Sequence, residues 1–387
     1  MKSVIYLTIL ILSNLSALDQ FTSSQVCQKC HPTIYKEYYS SQHRKASIFS
    51  DAIHKAVWDK HPLKKKKIYK CAKCHTPNDK EILSKLKNHK DALPQKNKAQ
   101  LEGVSCVSCH NIKSIQKHAK SNVNILTTNK KTLYSARISE KDSDDKKYKI
   151  ETTLFGLVTK ESGSPYHDID FTNKNFYNGN VCMGCHSHKE NAHKLQVCTS
   201  KISEHPNTNK ENCITCHMPK ITGSFTTLKD SKTHRYHGFS GSIHKPEMLS
   251  KYINITFQKS TNGFNIIIKN SANHPLLLHP LRVGELQVTI IRDKKSILLP
   301  VTKFLRIIGK DKKPAPPWIA TKVLKDTQIQ AKETRTIHFT QSLKKRDEVL
   351  VKLGQYIVNP KMAKKLDIKD NDLMMFKIFK EERFFVK

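Results

Sequence analysis

What this chain of 387 residues lacks narrows the reading before any motif is considered. Only nine of its 68 basic residues are arginine. Arginine's planar fork is the usual reader of phosphates and base edges, so a lysine-dominated net charge of +35 without a nucleic-acid motif argues against DNA or RNA as a partner. Apolar residues make up 37% of the chain, low for a core built of side chains alone. The apolar run near the start, Val4 to Leu12, is nine residues long, whereas a bilayer span needs about 20. No cysteine lies beyond Cys216, so everything after it must make a core by other means.

Eleven cysteines are present, all between positions 27 and 216, and ten of them form five C-x-x-C-H stretches. These are Cys27/Cys30/His31, Cys71/Cys74/His75, Cys106/Cys109/His110, Cys182/Cys185/His186 and Cys213/Cys216/His217. The pattern is that of covalent haem attachment. Two thiols three residues apart lie about one helical turn from each other, on one side of the backbone, within reach of the two vinyl groups of one porphyrin. The histidine after the second cysteine is then held under the ring, where its neutral nitrogen can serve as the proximal ligand. Paired cysteines also build zinc sites, but zinc has no need of the neighbouring histidine. Histidine is 20 of the 387 residues, about 5%, so its placement after all five pairs by chance is on the order of a few in ten million. Five apolar macrocycles would also supply the core that the composition withholds.

Residues 1–17 read as a secretory signal, with Lys2 at the positive start, the apolar run, and small residues from Ser13 to Ala17. Export agrees with covalent haem attachment, and the expected location is the periplasm; an uncleaved amino-terminal anchor is the alternative. Residues 18–245 form a loop-rich, mainly helical region punctuated by the motifs at irregular intervals, with helical pieces expected at Thr33 to Ser50 and Lys80 to Leu93. Lys64 to Lys67 is read as a solvated loop, with partner docking as the alternative. Residues 246–387 change texture. Tyr252 to Phe257, Phe264 to Ile268, Leu286 to Ile291 and Thr334 to Thr340 are rich in β-branched residues and read as strands. An immunoglobulin-like β-sandwich is the expectation there, with a short helix at Pro360 to Lys365 and an extended loop at Pro314 to Pro317. The fold class is therefore α+β.

Fifteen histidines remain once five are spent as proximal ligands, so every iron could take a second imidazole from the same chain. His43, His118, His167, His234 and His237 are the candidates. Tyr38-Tyr-Ser-Ser-Gln-His43, Glu102-Gly-Val-Ser-Cys106, Ser164-Pro-Tyr-His167 and Cys213-Ile-Thr-Cys-His-Met-Pro219 resemble the multihaem cytochromes related to the tetrahaem partner of hydroxylamine oxidoreductase, over roughly residues 21 to 240. That resemblance implies closely stacked haems acting as an electron wire, with His43, His167 and His234 as distal ligands. Asn270 to Arg282 resembles the start of a β domain that follows the haems in some relatives. Related pentahaem nitrite reductases carry C-x-x-C-K at the catalytic haem, and all five motifs here end in histidine, so that activity is not implied. Cys198 lacks a partner at haem spacing and reads as a buried thiol, against an intermolecular disulfide or a thiol near a haem face; Met218 reads as a packing residue.

The sequence thus points to a periplasmic carrier with five covalent haems c, passing electrons between redox partner proteins. Its basic charge would steer acidic partners or small oxyanions, or reflects a genome-wide lysine bias. The alternative is an oxidoreductase acting on a nitrogen or sulfur oxyanion or hydroxylamine at one haem with an open distal position.

Overall fold

The computed structural model describes residues 20–387 except positions 130, 138–144, 148, 154–157, 165, 203, 205, 209 and 229–230. The expected signal segment lies outside the described residues. Among the described residues no helix is long and apolar enough to cross a membrane.

Short helices, most of them started by a side-chain cap, carry the first hundred residues. The expected helix at Thr33 to Ser50 is two helices, Pro32–Ser40 and Ala52–Lys60. The first stops in the serine pair Ser40–Ser41, where the backbone turns extended, and the second starts at Asp51, whose carboxylate accepts from the Ile53 and His54 amides. The other, expected to run to Leu93, spans Lys80–Lys87 under an Asp79 cap. Ile48, Trp58, Tyr69, Ala72 and Ile82 form a small apolar cluster between these pieces.

Between the third and fifth motifs the chain is not mainly helical. Strand pairs fill it: Ile112–Gln116 with Val123–Leu126, Lys149–Thr153 with Val158–Ser162, and His188–Glu190 with Gln196–Thr199. Alternating stretches such as Lys149-Ile-Glu-Thr-Thr153 favour a pleated ribbon over a helix.

From Ile253 onward two antiparallel sheets share one core. The first holds Ile253–Ser260, Gly263–Asn270 and Thr334–Phe339 in that order. The second is built on Val283–Arg292 and Glu348–Tyr356, flanked by Lys295–Leu298 and Thr302–Phe304 on one side and Phe376–Phe385 on the other. Ile255, Phe264, Ile266 and Ile268 from one sheet meet Leu286, Val288, Ile290, Val349, Val351 and Leu353 from the other. Alternation of apolar and polar positions puts those side chains on one face. Glu348–Tyr356 and Phe376–Phe385 were not among the expected strands. The helix Pro360–Leu366 is close to its expected bounds, and Pro314, expected in a loop, pairs with Gly309.

The strand region grips the cysteine-bearing region at defined places. Arg306, buried, donates to the carbonyls of Gln196 (2.8 Å) and Val197 (3.1 Å). The Asn191 amide donates to Pro317 and Ala320 oxygens, both at 2.7 Å. Helix Pro360–Leu366 packs through Ala363 and Met362 against Ile53 and Ala56.

Candidate haem-binding site

Each C-x-x-C-H stretch is wound as a tight turn, which is what puts its two thiols on one side. Ala72–His75, Cys106–His110, Met183–His186 and Cys213–His217 are helical turns, and Ser24–Lys29 is a 3-10 turn leading into Cys30. The histidine amide closes back on the first cysteine's carbonyl, at 2.9 Å for His31 to Cys27 and 3.0 Å for His75 to Cys71. Ser105 and Asn212 cap two of the turns, the latter in a reciprocal capping box with Thr215.

All ten cysteines and all five following histidines line one continuous cavity of about 2870 Å3. A pocket for one drug-sized ligand holds about 300–1,000 Å3, so this space suits several large groups together. The histidines point into it in a fixed way. Nδ1 of His31 donates to Phe225 O (2.7 Å), of His75 to Ala46 O (3.0 Å), of His110 to Tyr134 O (2.7 Å) and of His217 to Ser240 O (2.6 Å). A backbone carbonyl on Nδ1 fixes the tautomer and leaves the Nε2 lone pair for a metal.

Second imidazoles face four of these rings. A metal–imidazole bond of about 2 Å on each side, plus about 1 Å from nitrogen to ring centre, sets two axial rings about 6 Å apart. His31 and His167 are 6.3 Å apart, His110 and His237 6.4 Å, His43 and His186 5.9 Å, and His217 and His274 6.0 Å. His43 also keeps a buried Nδ1 without a hydrogen-bond partner. Paired thiols on a turn, an oriented imidazole beside them and a second imidazole at two-ligand distance are the donor set a covalently attached haem requires, and the residues present fit it.

Residues 26–111, spanning the first three motifs, match the family model described as cytochrome c554 and c-prime. No curated protein matches the chain. Among solved structures, the chain superposes on a penta-heme cytochrome c552 from Thermochromatium tepidum with a TM-score of 0.69, at 21% identity, over 95% of this chain and 99% of that one. The chain has a multihaem cytochrome fold.

In this fold burial favours the neutral form of seven of these rings. Burial pushes His43 down to about 3, with His186 and His75 adding to the shift, and burial then His110 pushes His237 to about 3. His167 and His75 fall to about 4, each first by burial. His110, His186 and His274 are lowered for the same reason. A neutral imidazole is the ligating form, so the desolvation that would penalise a charged ring favours metal binding.

The other two candidates line the same cavity but face no proximal ring at that spacing. His234 is buried, with Nδ1 on Gly223 O (2.8 Å) and Nε2 on Glu37 Oε1 (2.9 Å), so both nitrogens face protein acceptors. Glu37 uses its other oxygen on the His237 amide (2.8 Å), and His234 thereby braces the segment that carries His237. His118 is exposed, its Nδ1 accepting from the Lys120 amide. His43 follows the first motif in sequence yet faces His186 of the fourth. His274 was not anticipated, although a spare histidine before a proline at the change of texture was its signal. Cys198 lies opposite Lys189 in a strand pair, its thiol pushed up by burial.

Proposed function

We propose that the protein is a periplasmic pentahaem c-type cytochrome that passes electrons between redox partner proteins. The cysteine pairs Cys27/Cys30, Cys71/Cys74, Cys106/Cys109, Cys182/Cys185 and Cys213/Cys216 would carry haem c, with His31, His75, His110, His186 and His217 as proximal ligands. The iron, once bound, supplies one-electron exchange between its ferric and ferrous states. The observation that carries the reading is the facing of His31 with His167, His110 with His237 and His186 with His43 at two-ligand spacing around one shared cavity. At the four haems whose proximal rings have a facing imidazole, two axial nitrogens leave no position for a substrate, and one cavity keeps the centres close. The match of residues 26–111 supports a multihaem c-type cytochrome, and we further propose relation to the tetrahaem partner of hydroxylamine oxidoreductase. We assign residues 18–245 to the haem domain and 246–387 to an immunoglobulin-like β-sandwich.

One observation favours a second reading. Among the described residues no ring faces His75 at the spacing of the other four. The second haem would then offer an open position, where a nitrogen or sulfur oxyanion or hydroxylamine could be reduced or oxidised. Intact mass of the matured protein should give five covalent haems; fewer removes the pentahaem reading. Nitrite, sulfite and hydroxylamine should each reoxidise the reduced protein slowly and without saturation. Saturable turnover of any of them would replace the carrier reading with the enzymatic one.

A further inference from the structure

The ring that faces the fifth motif belongs to the strand region, which neither the motifs nor the matched family segment assigns to haem binding. We infer that His274 is the distal iron ligand of the haem on Cys213/Cys216, so that this haem is coordinated across the boundary between the two parts of the chain. The inference rests on the haem reading above.

The geometry is that of the other facing pairs. His217 and His274 have ring centroids 6.0 Å apart and planes 19° from parallel. Each ring has its Nδ1 on a backbone carbonyl, Ser240 O at 2.6 Å for His217 and Pro275 O at 2.9 Å for His274, which fixes the tautomer and leaves Nε2 of each ring as the nitrogen available to a metal. Both residues line the shared cavity.

The segment bearing His274 is held from both sides. On the strand side, Asn270, fully buried at the end of Gly263–Asn270, donates through Nδ2 to His274 O (3.0 Å) and Gln330 O (2.8 Å), and its Oδ1 accepts from the Ala272 amide (3.0 Å). The Leu276 amide donates to Ile329 O at 2.9 Å. On the haem side, Glu211, two residues before Cys213, accepts from Lys332 Nζ at 2.8 Å, and the same ammonium donates to Ser271 O at 2.6 Å. Asn273 reaches Glu211 O at 3.4 Å. Pro275 further restricts the backbone of His274. A histidine fixed this way costs little ordering entropy when it binds a metal, unlike one on a free surface loop. The carboxy-terminal unit is therefore a ligand-bearing part of the redox chain, and its separation from the cysteine-bearing part removes an axial ligand.

The test uses the full, haem-loaded chain with His274→Gly and His274→Met. Intact mass should show five haems in wild type and both variants. Oxidised His274→Gly should gain one high-spin ferric signal by electron paramagnetic resonance, and added imidazole should return it to low spin. His274→Met should stay low-spin with one haem potential raised, because thioether favours the ferrous state. Five haems with an unchanged spin count in His274→Gly, or five unchanged potentials in His274→Met, would overturn the assignment while leaving the haem reading intact. Absence of haem from the wild type would overturn both.

Discussion

His54 and His75 both donate through Nδ1 to the carbonyl oxygen of Ala46, at 2.9 and 3.0 Å, and their rings lie 4.0 Å apart. That separation is about 2 Å short of what an iron between two imidazoles needs. The Nε2 of His54 is also taken, accepting from the Tyr69 hydroxyl at 3.2 Å. His54 thus positions the proximal ring from beside it.

The consequence is a spin count. Oxidised wild-type protein should show one high-spin and four low-spin haems, and the reduced protein should bind one carbon monoxide per chain. Replacing His54 with alanine should leave both counts as they are. A second high-spin signal in that variant would make His54 a ligand.

His43 and His234 separate in the same assay. His43→Ala removes the ring facing His186, so the high-spin count should rise from one to two and carbon monoxide binding should double. His234→Ala should add no high-spin signal, since both of its nitrogens already serve Gly223 and Glu37. Equal behaviour of the two variants would contradict the pairing.

Gly103 ties the third motif to His43. Its φ is +66°, a Cβ there would collide with the carbonyl oxygens of His43 and Arg44, and the next amide, Val104, donates to His43 O at 2.9 Å. Gly103→Ala should cost at least about 1–2 kcal/mol from the left-handed backbone alone. A lower melting temperature together with a partial high-spin signal checks it; a change confined to stability would leave His43 independent of this contact.

Local features were readable from the sequence and distant pairings were not. The motif turns follow from the i, i+3 spacing of their cysteines, and Gly263–Asn270 or Thr334–Phe339 from β-branched alternation. Glu348–Tyr356 was missed because its Leu-Val-Lys-Leu stretch lacks the β-branched density of the others. Which histidine faces which motif depends on packing: His167 returns to the first motif, His237 to the third, His43 to the fourth. His234 and His237 share one short segment, and only Glu37, from a distant helix, decides which ring is free.

Stability of the strand region should depend on acid through Asp347. Arg292 donates to both of its oxygens (2.9 and 2.7 Å) and the Lys344 amide adds a third bond (2.7 Å), so the guanidinium holds the carboxyl below its ordinary value against the opposing effect of burial. A lowered folded value means the contribution is present above the unfolded carboxylate value of about 3.9 and is lost as pH falls through the folded one. Asp347→Asn should therefore destabilise by about 1–3 kcal/mol at neutral pH. Melts at descending pH should bring variant and wild type together below about pH 4. A gap that stays constant into that range would exclude the ion pair as its source.

The last prediction concerns the partner. Sixty-eight basic residues against 33 acidic ones give the chain a net charge of +35, and part of that charge is locally paired, as where Lys55 and Lys64 both meet Asp59. Exposed pairs of this kind contribute little to stability, so the remaining lysines act mainly as a long-range field. A field of that sign draws in an acidic protein surface and raises the association rate, and salt weakens it once the screening length falls to about 10 Å near 0.1 M. Stopped-flow oxidation of the reduced protein by an acidic electron acceptor should slow steeply as ionic strength passes that value, whereas carbon monoxide, an uncharged ligand, should bind the haem on Cys71/Cys74 at a rate independent of salt. If both rates ignored salt, the lysine excess would have no part in partner choice; if both fell together, salt would be acting on the fold that holds the haems and not on the encounter.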